Sequence, residues 1–302
     1  MQSEAFSAPG QFYRGNLHTH STLSDGMLDA GEVCRRYRER GYDFICLSDH
    51  FVSDYNYPIA DTRAFRTNGF TTILGAEVHA PATGTVERWH ILAVGLPQDF
   101  APNGEDETGS QIAQRCLDAG AFVAIPHPEW YALSVEDAAT IPGAHAVEVY
   151  NHTSQVLNGR GGGSYYLDSL LNSGRRINAL ACDDAHWEVE ADRDRDAFGG
   201  WVMVKAEAND PEALVEALKE GRYYSSQGPR IENISLDREF LTIESSPCFQ
   251  ISLVGRASRN EKQSGADMTS ARFPWRKFVG DWCRVVVIDD AGKIAWSNPI
   301  YP

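Results

Sequence analysis

The chain has 302 residues, 42% of them hydrophobic, which suffices for one large α/β domain with a small appendage. Its 27 basic and 42 acidic residues give a net charge of −15, which disfavours binding to an extended duplex or any broad phosphate-binding surface. A small anionic substrate stays compatible with that sign if bound cations supply local positive charge.

The opening MQSEAFSAPG is polar and lacks the apolar core of a secretory signal. No apolar run reaches the ~20 residues of a membrane helix, so a cytoplasmic protein without a membrane partner is expected. The short apolar run before His18 and His20 reads as a first strand. Residues 29–40 read as a helix, with Asp29 and Glu32 spaced as a capping box and Gly41 suited to the C′ position. YDFICLSDH follows as a second strand, and TTILGAEVH (71–79) and WHILAVGL (89–96) as a third and fourth. GSQIAQRCLDAG (109–120) reads as a helix, and AFVAIPHP as the next strand. AHAVEVYN (144–151), INALACDDAH (177–186) and WVMVKA (201–206) are further strands. Residues 210–221 form a helix with Pro211 in its first turn. Strands alternating with helices predict a mostly parallel sheet or barrel.

Two loops interrupt this pattern. NGRGGGS (158–164) reads as a flexible linker, and the charged 188–200 segment as a solvated loop. After residue 228 the runs become short and β-like, so 1–228 is expected to form one domain and 229–302 a small antiparallel β module. Six scattered cysteines form no Cys-x-x-Cys pair and read as reduced, buried thiols.

The chemistry collects at strand ends. His18 and His20 end the first strand, His50 the second, Glu77 and His79 the third. His90 lies in the fourth, His127 follows the fifth, and Asp183, Asp184 and His186 end the INALACDDAH run. In a parallel barrel those ends converge on one face. Alternate residues of a strand share a side, so His18 and His20 can grip one ion together, as can Asp184 and His186. Imidazoles and carboxylates without thiolates suit divalent Zn, Fe or Mn, and the ligands are too many for one tetrahedral ion. Trp187, beside His186, is a candidate to flank a substrate. Arg160 and Arg195 are candidates to bind a phosphate. His145 reads as a surface residue, and Glu148 and Asn151 as supports for the site.

The ordered pieces HTHSTLSDG, GYDFICLSDH, GAE, HILAVGL, IPHPE and CDDAH resemble the PHP (polymerase and histidinol phosphatase) family over residues 13–228. GRYYSSQGP and GKIAWSNPI in the tail resemble the branch that includes carbamate hydrolases such as carbaryl hydrolase. The resemblance implies a distorted (β/α)7, TIM-like barrel holding two or three divalent metal ions. Residue by residue, it places His18, His20, Glu77 and Asp184 on a first ion. Glu77 bridges to a second ion with His127 and His90, where His90 is preferred to His79. Asp25, His50 and His186 match a third site, although several relatives carry a histidine where this chain has Asp25. Relatives usually read Gly-Ser-Asp where this chain has Cys182-Asp183-Asp184, so Asp184 is taken as the ligand.

The activity so implied is metal-dependent hydrolysis by a metal-bridging water, most readily of a small phosphate ester or nucleotide. An amide or carbamate hydrolase using the same cluster is the alternative, and a non-catalytic metal-binding module a third reading. Basic side chains in the pocket would favour the first, and an aromatic, uncharged pocket the second. No Gly-x-Ser-x-Gly elbow supports acyl-enzyme chemistry.

Overall fold

A computed structural model describes residues 4–85, 87–104, 106–189 and 194–302. Through residue 226 the chain forms α1 (Glu4–Ser7), β1 (Gln11–Asn16), α2 (Ala30–Glu39), β2 (Phe44–Leu47), β3 (His50–Phe51), β4 (Thr71–Ala80), β5 (Trp89–Val94), α3 (Gly109–Asp118), β6 (Phe122–Ile125) and α4 (Val135–Ala139). There follow β7 (Ala146–Asn151), α5 (His152–Asn158), α6 (Ser164–Asn172), β8 (Asn178–Cys182), β9 (Trp201–Ala206), α7 (Pro211–Lys219) and β10 (Tyr223–Ser226).

Local chemistry sets the helix ends. Asp29 caps α2 by accepting the Glu32 N–H at 3.0 Å. The return bond of a capping box is missing, because the Glu32 carboxylate binds Arg35 and Arg36 instead. Gly41 takes φ +76° just beyond the helix. Thr108 and Gln111 complete a full box on α3, and Asp210 caps α7 ahead of Pro211. Each of these helices buries one apolar face, such as Val33, Cys34 and Tyr37 of α2 or Leu214, Ala217 and Leu218 of α7.

The strands form one mixed sheet in the order β8-β7-β6-β5-β4-β2-β1-β9-β10. β1–β2, β2–β4, β6–β7 and β7–β8 are parallel. β5 runs antiparallel to both its neighbours, and so does β9. Every residue of β2 and β6 is buried, as befits strands covered on both faces. The expected closed barrel is corrected here to an open ladder. The antiparallel strand β9 takes the free edge of β1, leaving β8 without a paired strand on its outer side. On that open side the β8 segment is joined by a Thr19–Ala185 bridge, by Asn16 and Asn298, which accept the Asp183 and Ala179 N–H groups, and by the Ser225 hydroxyl, which bonds the Ala179 carbonyl and the Ala181 N–H.

Beyond β10 come β11 (Ile231–Leu236), β12 (Phe240–Gly255), β13 (Asn260–Pro274), β14 (Cys283–Ile288) and β15 (Ile294–Ser297), paired antiparallel throughout. β15 also pairs with β10, so the first sheet continues into the tail. Asn298 strengthens the join: its amide donates to Gly221 and Tyr223 carbonyls and accepts the Ala179 N–H. A second join is the fork from Arg284 on β14 to Asp168 on α6, at 2.8 and 2.9 Å.

Both loops differ from a plain solvated reading. Residues 161–163 lie against β7, where Gly161 accepts the Asn151 N–H and the Gly163 N–H donates to Val149. A Cβ on Gly163 would lie 2.0 Å from the Glu148 carbonyl oxygen, so the close approach requires glycine. Of the 188–200 segment, 190–193 lie outside the described residues. Asp194 takes Arg36 and Arg40, and the fully buried Asp196 accepts the His186 and Glu188 N–H groups. All six cysteines are buried and free. No helix among the described residues is long and apolar enough to cross a membrane.

Asp168→Ala leaves the nearly buried Arg284 guanidinium without its partner. Urea unfolding should show a loss of about 1.5–3 kcal/mol, the usual range for a hydrogen bond to a charged group. The double change Asp168→Leu/Arg284→Met should recover much of it, since an apolar pair carries no stranded charge.

Candidate metal centre

Sheet direction explains why these side chains meet. His50, Glu77, His127, Asp184 and His186 lie at or just beyond the C-terminal ends of parallel strands, as His18 and His20 do beyond β1. His90 lies at the start of β5, and because β5 is antiparallel its N-terminal end reaches the same face. Asp25 arrives on the 21–26 loop. Asp49 shapes that loop by accepting Ser21 N–H and Oγ–H and Ser24 Oγ–H. Gly26 closes it, since a Cβ there would lie 2.7 Å from the His20 backbone.

Glu77, fully buried on β4, is the centre of the cluster. Its carboxylate lies 2.6 Å from His50 Nδ1, 2.9 Å from His90 Nδ1 and 3.0 Å from His127 Nε2. His18, His79 and His20 are 3.6, 3.8 and 3.9 Å away. Asp184 Oδ1 sits 3.0 Å from both His18 Nε2 and His20 Nε2. Asp25 lies 3.2 Å from His50 and 3.4 Å from His186. All nine residues expected as ligands are thus brought together.

Four groups have ligand atoms within 4.8 Å of one another: His20, Asp25, His50 and His186; His50, Glu77, His79 and His90; His18, His127 and Asp184; and His18, His20 and Glu77. The donor chemistry fits divalent transition metals. The buried atoms His18 Nε2 and Glu77 Oε2 make no aligned hydrogen bond, although Asp184 Oδ1 stands 3.0 Å from the first and His50 Nδ1 2.6 Å from the second. Atoms that converge on shared space without pairing are what an ion would satisfy.

His79 belongs with these residues. Its Nε2 lies 2.9 Å from His50 Nδ1, and across the β4–β5 ladder it faces His90 directly. Preferring His90 over His79 treated as rivals two residues that the sheet places side by side. The signal was present in the sequence, because Glu77 and His79 are two apart on one strand and share a face.

A buried scaffold orients the cluster. Glu148 accepts a bond from His18 Nδ1 at 2.8 Å, the His127 N–H at 2.7 Å and the Asn151 amide at 2.9 Å. The Asn151 amide also donates to Asp184 Oδ2 at 3.0 Å. One carboxylate therefore fixes one imidazole, the backbone of a second and, through Asn151, a third group. His127 and Asp184 both hold left-handed backbone, at φ +28° and +59°. His127 is pinned there by Glu148, and Asp184 by its N–H bond to the His18 carbonyl. Asp183 points away and accepts from the Tyr37 hydroxyl and the Phe198, Gly199 and Gly200 N–H groups.

The electrostatics divide the imidazoles. Burial, aided by the charges of His186 and His50, pulls His20 down to about 3 and keeps it neutral. Burial opposes protonation of His50, but Glu77 and Asp25 push it up to about 10. Burial likewise opposes His186, which Asp25 and Asp184 raise to about 9. Burial would raise Glu77, yet His90, His50 and His18 hold its carboxyl well below the usual range. With side chains alone, protons on His50 and His186 offset carboxylate charge that a divalent cation can offset equally well.

The cluster floors a cleft of about 260 Å³. Asp25, His50, Glu77, His90, His127, Asp184 and His186 line it, with Trp130, Thr153, Ser154, Leu157 and Glu188 above. Larger cavities of about 970 and 630 Å³ lie elsewhere and contain none of the cluster. No arginine or lysine is among the described residues lining the cleft. Arg160 is instead exposed, donating to the Trp130 carbonyl. Arg195 is exposed as well and does not line the cleft. Trp187 does not flank the cleft either: it is fully buried against Tyr37 and Phe198. Trp130, whose ring centroid is 5.3 Å from that of His127, takes the place expected for it. His145 is half-buried, accepting the Val123 N–H.

Glu148→Gln should weaken metal retention roughly 10–100-fold, the usual effect of losing a partner that orients a ligand. His79→Ala should lower the bound metal per chain, while His145→Ala should not. Elemental analysis after dialysis against graded chelator checks all three.

No protein-family model and no curated protein matches the chain. Among solved structures it is similar to a Bacteroides vulgatus two-domain protein containing a predicted PHP-like metal-dependent phosphoesterase. The identity is 15%, the TM-score 0.55, and 99% of each chain is covered. A Chromobacterium violaceum amidohydrolase with bound sulfate and no metal aligns with 57% of this chain and 87% of its own, at 16% identity and TM-score 0.44. A Bifidobacterium adolescentis protein provisionally named a metal-dependent phosphoesterase aligns with 60% of this chain and 89% of its own, at 15% identity and TM-score 0.41. An identity this low speaks to fold alone: the chain shares the mixed α/β fold of the Bacteroides vulgatus protein over its full length.

Proposed function

We propose that the protein is a metal-dependent hydrolase of the PHP type, with a small phosphate ester as substrate and two or three divalent ions (Zn, Fe or Mn) as cofactors. One observation carries the reading: nine imidazole and carboxylate side chains from seven separate segments converge at one end of the sheet and floor an open cleft. Bound ions would supply Lewis acidity and an activated water. The residues that would hold them are His18, His20, Asp25, His50, Glu77, His90, His127, Asp184 and His186, joined by His79.

The chain's own groups have separable tasks. Glu77 offers both carboxylate oxygens to imidazoles on opposite sides, which suits a bridge between two ions. Glu148 holds the proton of His18 on Nδ1, so that Nε2 presents its lone pair to the cluster. His20, kept neutral by burial, is ready to donate a lone pair. Asp25, about a third exposed, reaches His50 and His186 from the solvent side.

A second reading is hydrolysis of an amide or carbamate by the same cluster. It is favoured by the cleft's Trp130 and Leu157 and by the lack of a basic side chain among its described lining residues. Under the phosphate reading, the ions themselves must neutralise the phosphoryl oxygens.

Chelator treatment should abolish hydrolysis and readdition of Zn, Fe or Mn should restore it, followed with a panel of phosphate monoesters and carbamates. Glu77→Gln should weaken two sites together and lower kcat by orders of magnitude. Asp25→Asn should keep most of the metal and lose less rate. Metal content and kcat for the two variants side by side decide the matter; if Asp25→Asn loses all metal while Glu77→Gln keeps two ions, the assignment is inverted.

A further inference from the structure

Among the described residues ten large apolar side chains are exposed; six of them lie on segments that carry or flank cleft-lining residues, and two, Trp130 and Leu157, line the cleft itself. Leu23 and Met27 stand two residues either side of Asp25. Tyr55 stacks on the His50 imidazole at 6.3 Å. Trp130 packs edge-on and tilted over His127 and His90, at 5.3 and 5.6 Å. Val156 and Leu157 come from α5, and Leu157 is half exposed on the cleft wall. Scattered single apolar residues on a surface carry no message, but a concentration round one concavity marks what that concavity binds. The polar residues above the floor are Thr153, Ser154 and Glu188, two neutral and one acidic. A second phosphate or carboxylate on the substrate would meet Glu188 and Asp25, and no arginine or lysine is among the described residues lining the cleft.

We infer that the substrate's leaving group is an uncharged, flat, apolar group, seated against Trp130 and Leu157. This rests on the hydrolase reading and holds for its phosphate and carbamate forms alike. In either, a water oxygen bonds to phosphorus or carbonyl carbon, the bond to the leaving oxygen breaks, and that oxygen departs with a proton as a neutral alcohol. The cleft's volume of about 260 Å³ has room for one ring beside the reacting group. Aromatic faces on a rim bind such a ring with little loss of conformational freedom.

The test uses the full chain reconstituted with Zn or Mn. Benzyl phosphate is compared with glycerol phosphate, and benzyl carbamate with methyl carbamate. All four leave as alcohols, so the ratios report the wall more than leaving-group acidity. In whichever class turns over, the benzyl compound should have a kcat/KM at least tenfold higher, and Trp130→Ala should cut that ratio at least fivefold. Benzylphosphonate should bind at least tenfold tighter than methylphosphonate by calorimetry, again with the gap narrowed by Trp130→Ala. If Trp130→Ala does not fold, Leu157→Ser at the exposed end of α5 takes its place and should narrow both gaps. A benzyl preference below tenfold, or a preference that survives in whichever variant folds, overturns the inference while leaving the hydrolase reading intact. Selective benzylphosphonate binding without turnover of any compound overturns the hydrolase reading and upholds the apolar subsite. If neither phosphonate binds and neither class turns over, benzyl alcohol is compared with glycerol by calorimetry; equal or absent binding then overturns the inference as well.

Discussion

A single buried carboxylate organises this molecule's chemistry. Glu77 has six imidazoles within 4.0 Å and no exposure to water. Burying an ionised group among apolar neighbours costs several kcal/mol unless opposite charge answers it. Here His90, His50 and His18 hold its charge and His20, His79 and His127 pack round it, six residues spread over more than a hundred positions of chain. Everything that fixes those six positions is therefore constrained by one side chain. β4 must pair with β3 so that His50 stands level with Glu77, and with β5 so that His79 stands level with His90. The antiparallel run of β5 follows the same logic, because a parallel β5 would have presented its C-terminal Val94 in place of His90.

Glu148 does for geometry what Glu77 does for charge. It is also buried, yet its partners are hydrogen-bond donors with fixed directions: a ring N–H, a backbone N–H and an amide. The glycine loop that looked like a spacer is part of this device. Gly163 approaches the Glu148 carbonyl so closely that no side chain fits, and its N–H bonds the adjacent Val149. A flexible-looking composition thus serves as a clamp on the strand that carries the orienting carboxylate. The strained backbone at His127 is held by the same residue, which places the cost of that conformation next to the site that uses it.

Much of this was legible in the sequence, and for identifiable reasons. Strand periodicity placed β4, β5 and β9 to within two residues, and Pro211 and Asp29 marked the starts of α7 and α2. The clustering of these residues was legible because strand ends in a parallel arrangement face one way, so a list of polar strand-end residues is nearly a list of neighbours. What failed were statements about partners across the sheet. That His79 stands opposite His90 is a matter of register, which one strand does not encode, although one strand does encode that it shares a face with Glu77. Trp187 was misplaced because its φ of +63° turns it into the Tyr37–Phe198 cluster, and a local pattern gives no sign of that turn. Closure of the barrel was expected from resemblance, whereas the edge of β1 is taken by β9, whose direction depends on the helix and loop before it.

The tail shows how a fold can extend without adding to its chemistry. β15 continues the sheet from β10, and Asn298 ties three backbone groups at the join. None of the four groups of candidate ligands includes a residue beyond 186. Strand β10 supplies Ser225, whose hydroxyl links directly to β8 where the ladder stays open, beside the Asn298 bond to Ala179. Because β10 is itself paired on its far side with β15, the support under β8 depends on the tail. β8 leads directly into Asp184 and His186, so loosening the tail would reach the cluster through β10, Asn298 and β8, although no tail residue is among the candidate ligands.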